Sequence, residues 1–171
     1  LGLPAVRLTA QEARQLEPGL SPAAMGAGWF PEDHHVNNTA VAQALASATL
    51  RLGGQIRVDC SVVDVVRDGK RVTGVRTLKE TLSADTVILC AGAWTQQFET
   101  AAGLPLPIIP AKGQIVVARL TTPALRHVVY GTEAYAIPRP SGEHIIGSTV
   151  EYVGYDKRVT VEAVTGILSR M

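Results

Sequence analysis

A short apolar run that ends in Ala-Gly before an aromatic residue constrains the fold of this chain more than any other feature. The stretch reads Asp85-Thr86-Val87-Ile88-Leu89-Cys90-Ala91-Gly92-Ala93-Trp94. An apolar run of this length, bounded by polar residues, is typical of a strand that is covered on both faces. Gly92 lacks a Cβ, so a ligand can approach the backbone there. The pattern therefore predicts a buried strand that ends at a ligand, and a plain core strand with a glycine turn stays open as the alternative.

The residues before this run predict a helix, a strand and a hairpin. Apolar residues at spacings of three and four over residues 36–52 indicate a helix whose single apolar stripe packs on another element. Gly53-Gly54 ends that helix, and residues 55–58 are the natural strand to follow. Valines on both sides of Asp68-Gly69 indicate an antiparallel ribbon over residues 62–77.

The rest of the chain predicts a second, antiparallel region. Prolines punctuate residues 104–110, as in a crossing between lobes. Strand patterns follow at residues 114–120, 127–130, 134–139 and 144–150, and helical spacing returns at 160–171. Near the N-terminus Thr9 and Glu12 form a capping-box pattern, which predicts a helix to about Leu16. The predicted fold class is mixed α/β, or α+β.

Composition and charge exclude two classes of partner. The 171 residues carry a net charge of +1 without basic blocks, which leaves no electrostatic footprint for nucleic acid. No apolar run approaches the roughly 20 residues of a membrane span. Cys60 and Cys90 lie far apart in strand-like contexts, which favours two reduced core thiols. Since there is no secretion signature either, we expect a cytoplasmic protein.

The histidines do not predict a metal site. Asp33, His34 and His35 are adjacent, but neighbouring histidines rarely point the same way, and no further ligand has recognisable spacing. His127 and His144 are isolated in strand-like runs, which favours structural histidines with satisfied hydrogen bonds over general bases. No nucleophile motif or phosphate-cradling loop occurs in the sequence.

The ordered set of these elements resembles a known family. Tyr135-Ala136-Ile137-Pro138-Arg139-Pro140-Ser141-Gly142, followed by Gly147-Ser148-Thr149-Val150, looks like the substrate-domain strand pair of flavin-dependent oxidases. Together with residues 36–56, 62–77, 87–94 and 109–114, it resembles the D-amino-acid oxidase family. Within that family the pattern is most similar to the glycine oxidase branch that is linked to thiamine biosynthesis.

The resemblance implies a domain division and a cofactor. Residues 1–104 would be the later part of an FAD-binding domain, with the N-terminal segment able to join the substrate domain. Residues 105–171 would be an antiparallel substrate domain with its helix, truncated. Family members open with a Gly-x-Gly-x-x-Gly turn that holds the FAD pyrophosphate and close with a Gly-x-Arg-Pro segment, and this sequence has neither. We therefore expect an internal fragment that does not retain FAD by itself.

Four residues carry over from the family to the cofactor. Val62 matches the position whose backbone meets the adenine side of FAD. Ala91, Gly92 and Trp94 match the strand end that lies against the dinucleotide. The family typically has Ser or Thr near Ala91, so only backbone contacts are expected there. Ordinary strand core for Val62, and an aromatic lid over core for Trp94, stay open as alternatives.

Two residues carry over to the substrate. Tyr135 matches a tyrosine that helps to hold the substrate carboxylate, and Val150 matches a pocket-lining methionine on the neighbouring strand. An edge-strand aromatic that packs on its neighbour is the alternative for Tyr135. Arg139 is the only arginine on these strands, and alternation places it on the face of Tyr135. The resemblance assigns the main carboxylate clamp to an arginine beyond Met171, so Arg139 is not included in the site.

The implied activity is oxidation of glycine or another small amine or amino acid. Hydride transfer to the flavin would be followed by imine hydrolysis and reoxidation by oxygen, and no side chain of this sequence is assigned a catalytic role. A D-amino-acid dehydrogenase and a sarcosine-type oxidase stay open as alternatives within the same class. The alternative is a catalytically silent, substrate-type binding or assembly module without its own cofactor. Whether copies assemble into a homo-oligomer stays open.

Overall fold

The computed structural model describes residues 4–120 and 125–170, which form two compact units. The first unit contains the described parts of Leu1–Val36, Lys112–Tyr152 and Asp156–Met171, and the second contains Asn37–Ala111 and Val153–Tyr155. The elements of the first unit are β1 (Val6–Thr9), α1 (Ala10–Leu16), β2 (Gly26–Trp29), β6 (Ile115–Ala118), β7 (Val129–Tyr130), β8 (Tyr135–Pro138), β9 (His144–Gly147) and α4 (Val161–Leu168). Those of the second are α2 (Asn38–Arg51), β3 (Val62–Asp68), β4 (Arg71–Thr77), β5 (Thr81–Ser83), a 3₁₀ helix (Gly92–Phe98) and α3 (Glu99–Ala102).

The first unit contains a four-stranded antiparallel sheet with the strand order β6-β9-β8-β7. One face of this sheet packs on α4, where Ile146 and Ile167 are almost fully buried and Ala136 joins them. Alternation along β8 and β9 places Tyr135 and Gly147 on the opposite face. The prediction of an antiparallel second half is therefore confirmed.

The capping box at the start of α1 is also confirmed. The Thr9 hydroxyl accepts from the Glu12 backbone N–H, and the Glu12 carboxylate accepts from the Thr9 backbone N–H at 2.8 Å. These two bonds satisfy donors that a helix N-terminus otherwise leaves unpaired. β1 and β2 form a separate two-stranded antiparallel sheet.

The second unit contains the predicted hairpin and a third strand that the sequence did not indicate. β3 and β4 pair antiparallel, and Gly69 takes a left-handed φ of 58° in the turn between them. β5 adds to the other edge of β4. The ladder of β3 and β4 shifts register between Val62 and Asp64, so Val63 is the extra residue of a bulge. The mixed α/β fold class is confirmed.

Three predictions for the second unit are wrong. Residues 55–58 and 87–90 are not strands, because no segment within the described residues pairs with either of them. The apolar stripe of α2 is not packed, since none of its residues is buried. Cys90 is exposed, so it is not a core thiol. An apolar pattern indicates that a segment packs against another segment or pairs with it. The pattern does not show which segment that is.

Two histidine predictions have different outcomes. The His127 ring contacts the Glu17 carboxylate at 3.1 Å, so this histidine has the partner that was expected. His144 is only 2% exposed, and neither ring nitrogen has a hydrogen-bond partner in the described structure. The hydrogen bonds expected for His144 are therefore not found among the described residues. Its position on β9 places it on the same face as Ile146, among apolar side chains.

No helix in the described part of the chain is long and apolar enough to cross a membrane.

Candidate functional site

Three of the four residues predicted to meet the cofactor, Ala91, Gly92 and Trp94, form a tight turn at the start of the 3₁₀ helix. The backbone N–H of Trp94 donates to the Ala91 carbonyl at 3.0 Å and closes residues 91–94 into a turn, here named the 91–94 turn. Gly92 has a left-handed φ of 54°, a conformation that suits glycine. Apart from Gly92 itself and its two chain neighbours, no described residue has an atom within 4 Å of where a Cβ of Gly92 would stand. The backbone of the turn is therefore open to a ligand on that side.

The 91–94 turn is held by a residue that sequence analysis did not select. The Tyr155 hydroxyl donates to the Ala93 carbonyl at 3.1 Å. Its ring stacks on Trp94, with centroids 5.7 Å apart and an interplanar angle of 14°. Trp94 and Tyr155 are both partly exposed. Tyr155 is 62 positions from Ala93, and no local pattern announces such a contact.

Val62 lies on the three-stranded sheet, at the first position of β3 opposite Thr77. Its side chain is 38% exposed, so it is not ordinary strand core. The bulge at Val63 interrupts the alternation of side chains at this end of the strand. Val62 and the 91–94 turn together offer an exposed apolar side chain and an open backbone segment. Both features fit a dinucleotide, whose adenine packs on apolar groups and whose polar part needs close backbone approach.

On the antiparallel sheet, Tyr135 lies in a row of residues that crosses four strands. The register places Gly147 of β9 opposite both Tyr135 of β8 and Ile115 of β6, and Tyr130 of β7 opposite Tyr135. The rings of Tyr130 and Tyr135 are 5.2 Å apart and inclined by 35°. The Tyr135 hydroxyl has no hydrogen-bond partner among the described residues. A partly buried phenol without a partner is suited to donate to a ligand.

Val150 is exposed, and a polar network holds its two neighbours, Thr149 and Glu151. Glu151 forms a backbone bridge with Lys112, and the Thr149 hydroxyl donates to the Glu151 carboxylate at 2.5 Å. Gln114, 6% exposed, donates through its side-chain amide to the same carboxylate at 2.7 Å. Thr149 and Glu151 therefore point towards Gln114, while Val150 is 68% exposed.

This network also controls the charge of Glu151. The hydrogen bonds from Thr149 and Gln114, followed by the ion pair with Lys112 at 3.4 Å, outweigh burial and lower the pKa of Glu151. The same Gln114 side chain accepts from the backbone N–H of Thr160, the N-cap of α4. The carboxylate thus joins the backbone around Val150 to the helix behind the sheet. Sequence analysis missed this cluster because its members are spread over 49 residue numbers, from 112 to 160.

Arg139 lies just beyond the end of β8, and its contacts are with backbone groups. β8 ends at Pro138, so the alternation of the strand does not extend to Arg139. Its backbone N–H donates to the Glu143 carbonyl at 2.7 Å, and its guanidinium lies 3.5 Å from the Val36 carbonyl oxygen. Its exclusion from the predicted site is consistent with these contacts.

A second polar cluster in the first unit surrounds Glu17, which is 3% exposed. One carboxylate oxygen accepts from the backbone N–H groups of Arg126 and His127 at 2.8 and 2.9 Å, and it contacts the His127 ring. Burial raises the pKa of Glu17, but these hydrogen bonds outweigh burial and lower it. The Trp29 ring packs edge-on against His127 at 5.1 Å. The cluster fastens the loop before β7 to the C-terminus of α1, which is a structural role.

Within residues 4–120 and 125–170, no group of three or more His, Cys, Asp or Glu side chains could hold a metal ion.

A family model and individual relatives place this chain in the same family. The family model described as FAD dependent oxidoreductase matches residues 1–171. Glycine oxidase of Pseudomonas putida is 36% identical over 151 residues, which is 88% of this chain and 41% of that protein. The bifunctional protein ThiO/ThiG of Synechocystis sp. is 31% identical over 168 residues, 95% of this chain and 25% of that protein.

A solved structure agrees with the sequence relatives. The crystal structure of glycine oxidase from Geobacillus kaustophilus superposes with a TM-score of 0.92 and 31% identity, over 99% of this chain and 46% of that one. The chain spans less than half the length of each of these relatives.

Proposed function

Because the chain belongs to the family of FAD-dependent oxidoreductases, we propose that the enzyme containing it oxidises glycine or another small amine or amino acid. Bound FAD would supply the two-electron oxidant for the carbon that bears the amine, water would hydrolyse the resulting imine, and oxygen would be the final electron acceptor. The observation that carries the proposal is the similarity to glycine oxidases across nearly the whole chain, at 36% identity in one of them. Thiamine biosynthesis is the proposed pathway, supported by the ThiO/ThiG relative.

The proposed cofactor contacts come from the second unit. The open backbone of Ala91 and Gly92 would lie against the dinucleotide, and Val62 would pack beside the adenine. Trp94 would hold the 91–94 turn in place through its stack with Tyr155. These residues bind and orient, and none of them transfers a proton. Because the chain lacks a Gly-x-Gly-x-x-Gly turn, we expect FAD to need further parts of the enzyme for stable binding.

The proposed substrate contacts come from the first unit. The Tyr135 hydroxyl, which has no hydrogen-bond partner among the described residues, would donate to the substrate carboxylate, and Val150 would line the pocket. Tyr135 would orient the substrate without taking part in hydride transfer. A residue with this role affects binding more than the chemical step. The same proposal divides the enzyme into an FAD-binding part up to residue 104, whose N-terminal segment is able to join the substrate part, and a substrate part after residue 104. A cytoplasmic location also belongs to the proposal.

Steady-state kinetics of the full-length enzyme test the proposal. Tyr135→Phe removes one hydrogen bond to a charged group, worth on the order of 1.5–3 kcal/mol. KM for glycine should rise by roughly tenfold or somewhat more, with kcat within a few-fold of wild type. A matched amine without a carboxylate should be oxidised equally by both forms. Unchanged kinetics with every amino acid tested would show that Tyr135 is a packing residue.

The electron acceptor needs its own measurement. Turnover with oxygen should be compared with turnover with an artificial dye, each at saturating glycine. Oxygen consumption that matches product formation supports an oxidase, whereas turnover with the dye alone supports a dehydrogenase. A full-length protein that binds no FAD and oxidises no small amine would support the silent module instead.

A further inference from the structure

Gly147 occupies the middle of the cross-strand row that contains Tyr135. It lies on β9 with Ile115 on one side and Tyr135 on the other. A Cβ at this position would stand 2.5 Å from the Tyr135 Oη and 2.6 Å from its Cζ. It would also stand 3.1 Å from the Cγ2 of Ile115. The Tyr135 ring therefore lies across Gly147, in space that any other residue would fill with its side chain.

Gly147 does not take the left-handed φ that favours glycine. The φ angle of Gly147 lies outside the left-handed region, unlike those of Gly69, Gly92 and Gly142. Residues that carry a side chain also adopt φ angles outside the left-handed region. What Gly147 contributes is therefore the empty volume above its Cα.

We propose that Gly147 is a positioning residue that sets where the Tyr135 hydroxyl points, a proposal that rests on the substrate role proposed for Tyr135. Because Gly147 has no side chain, the Tyr135 ring can lie across β9 with its hydroxyl end towards Ile115. Tyr130 packs against the Tyr135 ring from β7 and limits sideways movement on that side. The hydroxyl is thereby held in one place above the sheet although it has no hydrogen-bond partner in the described structure.

An alanine at position 147 would displace the phenol more easily than the strand. Its methyl group would overlap the far end of the Tyr135 side chain, which moves by rotation of two side-chain bonds. β9 pairs with strands on both sides, so its backbone is held by two hydrogen-bonded ladders. The ring should therefore turn away from β9 and carry its hydroxyl out of reach of a bound carboxylate.

The first measurement detects Tyr135 directly. Full-length holoenzyme labelled with 3-fluorotyrosine gives a fluorine resonance for Tyr135, assigned by its loss in Tyr135→Phe. Gly147→Ala should shift that resonance. Gly166→Ala in α4 is the matched control, because nothing described lies within 4 Å of a Cβ placed there. An unmoved Tyr135 resonance in a folded Gly147→Ala protein overturns the proposal.

The second measurement uses kinetics as a double-mutant cycle. Gly147→Ala should raise KM for glycine roughly tenfold, as expected for a lost hydrogen bond to a charged group, with kcat within a few-fold. In a Tyr135→Ala background the same change should add nothing further to KM. A full additional effect there means that Gly147 acts without Tyr135 and overturns the proposal.

The two proposals fail in different ways. A shifted Tyr135 resonance with an unchanged KM leaves the positioning role intact and removes the substrate role of Tyr135. If the Gly147→Ala variant does not fold, the Tyr135→Ala/Gly147→Ala double variant tests whether a collision with the Tyr135 ring is the cause, because the double variant lacks that ring. Recovery of folding in that double variant supports the collision with Tyr135, and failure to fold overturns it.

Discussion

The Tyr155 hydroxyl donates a hydrogen bond to the Ala93 carbonyl at 3.1 Å, and so connects two segments of the second unit that are 62 positions apart. The adjacent Trp94 ring stacks on the same tyrosine. This pair of contacts fixes the backbone that is proposed to face FAD.

Tyr155→Leu removes both contacts, whereas Tyr155→Phe removes only the hydrogen bond. A net hydrogen bond contributes about 0.5–1.5 kcal/mol, and an aromatic pair contributes a similar amount. The dissociation constant for FAD in the full-length enzyme should rise by roughly threefold for Phe and by roughly tenfold or more for Leu. Titration of apoenzyme with FAD measures both values. Tyr152→Leu, at a 71% exposed position in the first unit, is the control, and a control effect as large as that of Tyr155→Leu would refute the local role.

Val62→Asp should weaken FAD binding because it places a carboxylate where an apolar side chain is proposed to pack on the adenine. Val63 is a poor comparison, since the bulge interrupts alternation there and Val63 is exposed as well. Leu78→Asp is the better control, at an 80% exposed position directly after Thr77, the partner of Val62. Flavin absorbance per mole of protein after desalting should fall for Val62→Asp alone. Equal losses in two variants with wild-type melting temperatures would count against the assignment of Val62.

Glu17→Gln should lower the free energy of unfolding by about 1–3 kcal/mol at neutral pH, because the carboxylate accepts several hydrogen bonds in a buried position. The folded-state pKa of Glu17 lies below its ordinary value of 4.5, so the unfolded chain takes up the proton first on acidification. The stabilisation is complete above pH 4.5 and is lost as the pH falls towards the folded-state pKa. Urea titrations between neutral pH and pH 3.5 should show a flatter dependence for Glu17→Gln than for wild type. The exposed Glu32→Gln variant should follow wild type, and the same flattening in Glu32→Gln would contradict the assignment.

His144→Leu should raise the free energy of unfolding by about 1 kcal/mol, because it removes two buried nitrogens that have no partner in the described structure. His144→Gln keeps polar atoms in the same place and should bring no gain. Thermal melts of the two variants beside wild type provide the comparison. A marked loss of stability in the Leu variant would mean that the imidazole makes a hydrogen bond that stabilises the fold, for example to a buried water.

Local signals were sufficient for much of the fold. The Thr9 and Glu12 pair predicted the start of α1, since both partners lie within one turn of helix. Asp68-Gly69 between valine-rich runs predicted the β3–β4 hairpin. In that hairpin Asp68 pairs with Arg71, directly beside the turn. The antiparallel half followed in the same way from alternating apolar residues between turn residues. In each case the residues that decide the structure are close together in the sequence.

Only part of the candidate site could be predicted from residues that are close together in the sequence. Gly92 was found because a glycine after an apolar run marks an open backbone, and Tyr135 was found through a family resemblance. Tyr155, by contrast, has no local pattern that connects it with Ala93. Residues 55–58 and 87–90 have apolar patterns, but a strand exists only where a second segment completes its hydrogen bonds.

By itself, the sequence determined the helix starts, the hairpin, the antiparallel half and the family, because neighbouring residues and their order encode these features. Only the tertiary structure decided that Tyr155 holds the 91–94 turn, that Glu17 fastens the loop at His127, and that Gly147 provides the space for Tyr135. Each of these depends on atoms brought within a few ångströms by strand pairing or helix packing. The identities of two distant residues do not specify such a distance until the chain between them has folded.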